Sequence, residues 1–118
     1  MVNLQTVELD LIFSALSDST RRAILRMIGE KTRTITELAA PFRISLAAVS
    51  KHVKVLERAK LLRRTREGRI HHCALDPKSL ATAEEAIRFY RQFWTSRLDD
   101  LERYLENESR SKNPKPKK

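Results

Sequence analysis

The 118-residue chain holds one cysteine, two glycines and four prolines, and each shortage closes off a class of structure. Cys73 alone forms no internal disulfide and rules out the four-cysteine zinc arrangements, which fits a reducing compartment. No glycine-rich loop is present to cradle a phosphate, and no nucleophile, base and orienting acid stand at suggestive spacing. The chain is therefore not expected to be an enzyme or to carry a cofactor. No apolar run is long enough to span a bilayer. Residues 1–10 contain two acids and no Lys or Arg, unlike a secretory signal, so a cytoplasmic protein with no membrane partner is expected.

What the chain does have is positive charge, unevenly placed. The net charge is +9; residues 43–72 hold nine Lys or Arg against two acids, residues 107–118 five against one, and residues 1–42 five of each. Charge that served solubility alone would be spread along the chain. Concentrated in this way it is the footprint of a surface for a polyanion.

The densest part of that footprint includes a helical pattern over residues 45–59. Ser45 is an N-cap, and at about 100° per residue Leu46, Val49, Val53 and Leu56 form one stripe. Ala47, Lys51, Lys54 and Arg58 form the opposite stripe, with Ser50 beside them, and the small Ala47 and Ala48 keep the leading end slim. A rod of this width fits the major groove of B-DNA, where Lys and Ser meet base edges or phosphates and an Ala methyl meets the thymine methyl. Ser45, Ala47, Ala48, Ser50, Lys51, Lys54 and Arg58 are thus candidate DNA contacts. His52, at the edge of the apolar stripe, reads as a hydrogen-bonded packing residue.

The surroundings of this helix are consistent with that role. A first helix is expected over 7–16 and a second over 19–28, capped by Asp18, with Ala23, Ile24, Met27 and Ile28 as core and Gly29 as its stop. Residues 34–36 read as a short extended piece, while Thr34 and Glu37 also fit a capping box. A brief third helix ends near Pro41, and residues 42–44 lead into the Ser45 helix at helix-turn-helix spacing. Strands over 62–65 and 70–75 flank Arg66-Glu67-Gly68-Arg69, with Gly68 where a hairpin needs positive φ. That basic hairpin is a wing, offering Arg64, Arg66 and Arg69 to an adjacent minor groove or to phosphates.

Asp76 caps a long last helix that begins at Pro77 and runs to about residue 106. Ile87, Trp94 and Leu101 recur every seven residues, Leu98 and Leu105 fill the neighbouring stripe, and five of the seven aromatics lie here. This is more apolar surface than one face of a small monomer hides, so a partner chain is expected. The candidate dimer interface is Val7 and Leu11 of the first helix with Ile87, Tyr90, Trp94, Leu98, Leu101 and Leu105 of the last. Residues 1–106 are expected to form one DNA-binding and dimerisation domain, and 107–118 a basic, disordered tail that adds non-specific attraction to DNA.

With that order in hand, the sequence becomes recognisable. Leu16-Ser17-Asp18-Ser19-Thr20-Arg21-Arg22-Ala23-Ile24-Leu25, then Thr36-Glu37-Leu38-Ala39, then residues 45–56, then Arg66-Glu67-Gly68-Arg69, resemble the ArsR family of bacterial winged helix-turn-helix repressors. The resemblance implies a mainly α fold with a small β-hairpin, a homodimer joined through its first and last helices, and a roughly palindromic operator on double-stranded DNA. It implies repression as the usual outcome. Many relatives have Pro and Gly where this chain has Ala47 and Lys60, so Lys60 is expected to end its helix without glycine's freedom. Ser19, often Pro in relatives, is a milder change. Metal-sensing members place cysteines in the short helix before the recognition helix, or Asp and His ligands on the last helix. Here the short helix reads Glu37-Leu38-Ala39-Ala40 and the last helix contains no histidine. The chain looks instead like the subgroup with an aromatic last helix, whose effector is unknown.

Two alternatives stand beside this reading. One is a protein-interaction module that works through the aromatic last helix. The other is a metal- or redox-responsive repressor using His71, His72 or Cys73, although successive strand side chains alternate faces and do not converge on one ion.

Overall fold

The computed structural model describes residues 4–112, and side chains from 6 to 111. The elements are α1 (Leu4–Leu16), α2 (Ser19–Glu30), β1 (Arg33–Thr34), α3 (Ile35–Ala39), α4 (Leu46–Arg58), β2 (Leu62–Glu67), β3 (Ile70–Leu75) and α5 (Pro77–Lys112). They fall into two compact units that divide after Ala83.

In the first unit, the break between α1 and α2 is held by side chains that answer unpaired backbone groups. The Asp18 carboxylate accepts the Arg21 backbone N–H at 3.0 Å and caps α2. Arg21 Nε donates to the Ala15 carbonyl at 2.8 Å, its Nη2 to Ser14 at 3.0 Å, and Arg22 Nη1 to Leu16 at 2.8 Å. Two guanidinium groups thereby satisfy the carbonyls that the end of α1 leaves without helical partners. α2 then runs through Gly29, contrary to the expected stop there, and ends at the extended Lys31. One glycine costs a helix roughly 1 kcal/mol, too little to end it where the backbone bonds continue.

α3 starts on the expected capping box. Thr34 Oγ1 accepts the Glu37 N–H at 3.1 Å and the Glu37 carboxylate accepts the Thr34 N–H at 2.8 Å. The extended piece therefore stops at Thr34, and Ile35 and Thr36 are already helical. It also pairs: β1 lies antiparallel to β3, with Arg33 opposite Cys73, giving a three-stranded sheet in the order β1-β3-β2. Between β2 and β3, Glu67 faces Ile70, so the turn is only Gly68-Arg69 and Arg66 belongs to the strand. Gly68, at φ 64°, has the backbone the first turn residue requires.

α4 ends on Lys60 at φ 60°. The Leu61 N–H donates to Leu56 O and the Lys60 N–H to Glu57 O, both at 3.0 Å, which is a Schellman motif built without glycine. Leu56 and Leu61, both fully buried, make its hydrophobic contact within a core that also holds Ile12, Ile24, Leu38, Val49, Val53 and Cys73. Leu11 packs partly on that core, whereas Val7 is 43% exposed. Asp76 accepts the Lys78 N–H at 3.2 Å and opens α5, whose first turns bury Ser79 and Ala83.

The second unit is the remainder of α5, which continues to Lys112, beyond the expected end near residue 106. Residues 107–112 are thus helical rather than disordered, and the rest of the basic tail lies outside the described residues. Phe89 meets Tyr90, and Phe93 meets Trp94, edge to face at 5.6 Å. Arg97 stacks 5.0 Å from the Phe93 ring centre. Ile87, Tyr90, Trp94, Leu98, Leu101 and Leu105 are all exposed on the single chain.

Candidate nucleic-acid interface

α4 is positioned by its buried face. Ser45 Oγ accepts the Ala48 N–H at 3.1 Å, and Val49, Val53 and Leu56 have no exposed surface. Ala47, Lys51, Lys54 and Arg58 consequently face outward, with Ala48 and Ser50 half-buried beside them. One member of the expected apolar stripe is misplaced: Leu46 is 54% exposed. It occupies the first turn, and helical side chains lean toward the N-terminus, so Leu46 projects past the end of the core. With Ile35 and Ile70 it walls a groove of about 440 Å³ whose rim carries Ser50, Arg69 and His71.

His52 turns inward to the start of α2. Its Nδ1 lies 3.3 Å from Arg21 Nη1 and 3.9 Å from the Asp18 carboxylate. A guanidinium only donates, so Nδ1 is the acceptor. The Arg21 backbone N–H holds the Asp18 carboxyl below its ordinary range against a smaller opposing effect of burial, with the Arg21 charge adding to the lowering. This is the packing role expected of His52.

The wing differs from expectation at one arginine. Arg69 sits exposed in the turn, and Arg66 is exposed with its Nε donating to the Gly68 carbonyl at 2.9 Å. Arg64 does not reach outward. Its side chain is 15% exposed and its Nη2 lies 3.0 Å from Glu57 Oε1, which ties β2 to α4. The register places Arg64 opposite the buried Cys73, on the sheet face turned to the core. Alternation then puts Arg63 on the outer face, where it is exposed. Sequence reasoning missed Arg63, although the apolar Leu62 before it carried the signal: a buried Leu62 turns Arg63 outward and Arg64 inward.

Cys73 is buried, and burial pushes its thiol pKa up. His72 Nε2 lies 3.9 Å from the Glu67 carboxylate. Among the described residues no three His, Cys, Asp or Glu side chains are grouped to hold a metal ion.

This geometry agrees with known proteins. A family model described as a helix-turn-helix domain matches residues 16–65. The HTH-type transcriptional regulator Rv2034 of Mycobacterium tuberculosis is 33% identical over 99 residues, covering 84% of this chain and 90% of that protein. The crystal structure of an ArsR family transcriptional regulator matches with a TM-score of 0.74 at 32% identity, over 81% of this chain and 98% of that one. The chain belongs to the ArsR family of transcriptional regulators. It is a helix-turn-helix DNA-binding regulator with a winged fold, and the family is not one of enzymes. The transcriptional repressor SdpR of Bacillus subtilis is 29% identical over 90 residues, 76% of this chain and 97% of the relative. An ArsR-like transcriptional regulator from Rhodococcus sp. RHA1 matches with a TM-score of 0.72 at 26% identity, over 83% of this chain and 92% of that one. Among the described residues, no helix is long and apolar enough to cross a membrane.

Proposed function

We propose that the protein acts in the cytoplasm as a homodimeric repressor on a roughly palindromic operator, with one α4 per half-site in the major groove and each wing at the neighbouring minor groove or backbone. The observation that carries this is the division of α4 into two faces. Val49, Val53 and Leu56 anchor it, while Ala47, Lys51, Lys54 and Arg58 point to solvent beside Arg66 and Arg69 of the wing. Ser45, Ala48 and Ser50 complete the contact surface, and Arg64 serves it indirectly by bracing the wing through Glu57.

Dimerisation is supported by the unpartnered apolar stripe of α5 from Ile87 to Leu105, and in the first unit Val7 of α1 is exposed as well. Leu11 contributes less, being partly committed to its own core. Repression follows the relative SdpR, whose name records it. A redox-responsive reading loses ground because the buried thiol of Cys73, its pKa raised, yields little reactive thiolate.

The exposed aromatics of α5 favour a second reading, a protein-interaction module whose basic face is incidental. Binding to the duplex upstream of the protein's own gene, measured by fluorescence anisotropy across salt concentrations, separates the two. Each neutralised phosphate lowers the slope of log affinity against log salt by about 0.9, so a repressor with several contacts responds steeply. A flat response, or a chain that sediments as a monomer, overturns the proposal.

A further inference from the structure

We infer that this regulator reads the C5-methyl groups of thymines, and that Leu46 on the first turn of α4 is the residue that receives them. The inference rests on the proposal that α4 enters the major groove. Its starting point is the set of side chains available there. Arg or Lys at guanine and Asn or Gln at adenine make the paired hydrogen bonds that discriminate one base from another, and Asp or Glu accept from cytosine. Over its first two turns α4 presents Leu46, Ala47, Ala48, Ser50 and Lys51, none of which can make such a pair except Lys51.

Further along, Lys54 is an exposed cation that, like Lys51, marks a guanine or a phosphate, and the other polar groups are engaged or out of reach. His52 is held at 3.3 Å by Arg21 and Glu57 at 3.0 Å by Arg64. Arg58 stands twelve positions after Leu46, about 18 Å along the axis at 1.5 Å per residue. A groove about 12 Å wide that admits the slim leading end leaves Arg58 beside a phosphate strand. Ser50 bonds to any base without preference. The remaining chemistry at the tip is apolar, and the thymine methyl is the one apolar group the bases present in the major groove.

Leu46 is shaped for that contact. It is 54% exposed although every other large aliphatic residue of the α4 stripe is fully buried, and Ala47 beside it is exposed. Across the groove Ile70 is 51% exposed and Ile35 half-buried, so an apolar strip crosses an otherwise cationic face. Covering a thymine methyl there removes two apolar surfaces from water, whereas cytosine offers no methyl to cover. The operator half-site is accordingly one in which Leu46 and Ala47 lie on thymines, while Lys51 marks a guanine or a phosphate.

The test uses the full chain. Duplexes enriched from a random-sequence pool are resynthesised with deoxyuridine for thymidine, one position at a time, which removes only the methyl. At one or two positions per half-site the change weakens binding about fourfold, the effect of one buried methyl-sized group. Leu46→Ala, which alters no core residue, binds the thymine duplex about fourfold more weakly than the wild type and loses the response at the position that Leu46 covers, while any position under Ala47 still responds. Wild-type binding that survives uracil unchanged at every position overturns the inference, as does a Leu46→Ala variant that responds like the wild type. A chain that enriches no duplex at all fails earlier, at the proposed function, and takes this inference with it.

Discussion

The Arg21 guanidinium, 3.3 Å from His52 Nδ1, also donates to the Ala15 and Ser14 carbonyls, so one side chain from α2 joins the end of α1 to the middle of α4. The orientation of α4 thus depends on a residue that lies outside the proposed contact surface. Arg21→Ala leaves the carbonyls of the buried Ala15 and the exposed Ser14 without their charged donor. It is expected to lower stability by about 2 kcal/mol, within the range for hydrogen bonds to charged groups, as read from urea unfolding. Arg21→Lys should not restore it, because an ammonium cannot span the same three acceptors.

Stability should fall in acid because of two helix-capping carboxylates. The backbone N–H of Arg21 lowers the pKa of Asp18, and the backbone N–H of Thr34 that of Glu37. A carboxyl whose folded pKa lies below its unfolded value stabilises above the unfolded value and loses that contribution as pH falls through the folded one. The melting temperature should therefore drop below the ordinary carboxylate range. Asp18→Asn keeps a cap but not the charge, and its melting temperature should vary less with pH over that window.

Lys60 holds a positive φ without being glycine. Lys60→Gly should stabilise the protein by about 0.5–1 kcal/mol, the strain released less the added freedom of the unfolded chain. Lys60→Ala, which keeps the Cβ, should not. Thermal unfolding of both variants at equal concentration checks this, and a Lys60→Gly variant no more stable than the wild type removes the strain argument.

The wing arginines should separate by role. Arg69→Ala and Lys51→Ala each remove an exposed cation, so affinity for duplex falls and the salt slope loses about one unit for each phosphate contact given up, with the dimer intact. Arg64→Ala should instead lower stability, because Glu57 loses its partner at 3.0 Å. Equal loss of salt slope in Arg64→Ala and Arg69→Ala would return Arg64 to the contact surface.

On α5, Trp94 is 60% exposed and packs edge to face on Phe93. Trp94→Ala should weaken self-association by at least tenfold and lose DNA affinity as a consequence. Sedimentation that finds the variant unchanged would move the interface elsewhere.

Local rules written in the sequence determined the parts of this protein that depend on a few neighbouring residues. Asp18, Thr34 with Glu37, Ser45 and Asp76 each cap a helix where their residue type requires it, Gly68 turns the wing, and Lys60 takes the left-handed conformation that its place at the end of α4 demands. The buried and cationic faces of α4 followed from periodicity, because 3.6 residues per turn leave little choice once the apolar stripe packs. Tertiary structure decided what periodicity cannot see. Whether Leu46 is core depends on how far the neighbouring elements reach over the first turn of α4. Whether Arg64 or Arg63 faces outward depends on which face of β2 meets the core; Leu62 hints at it by alternation, and its burial against the core decides it. The pairing of Arg33 with Cys73 across thirty-nine intervening positions is likewise a long-range contact with no local signature.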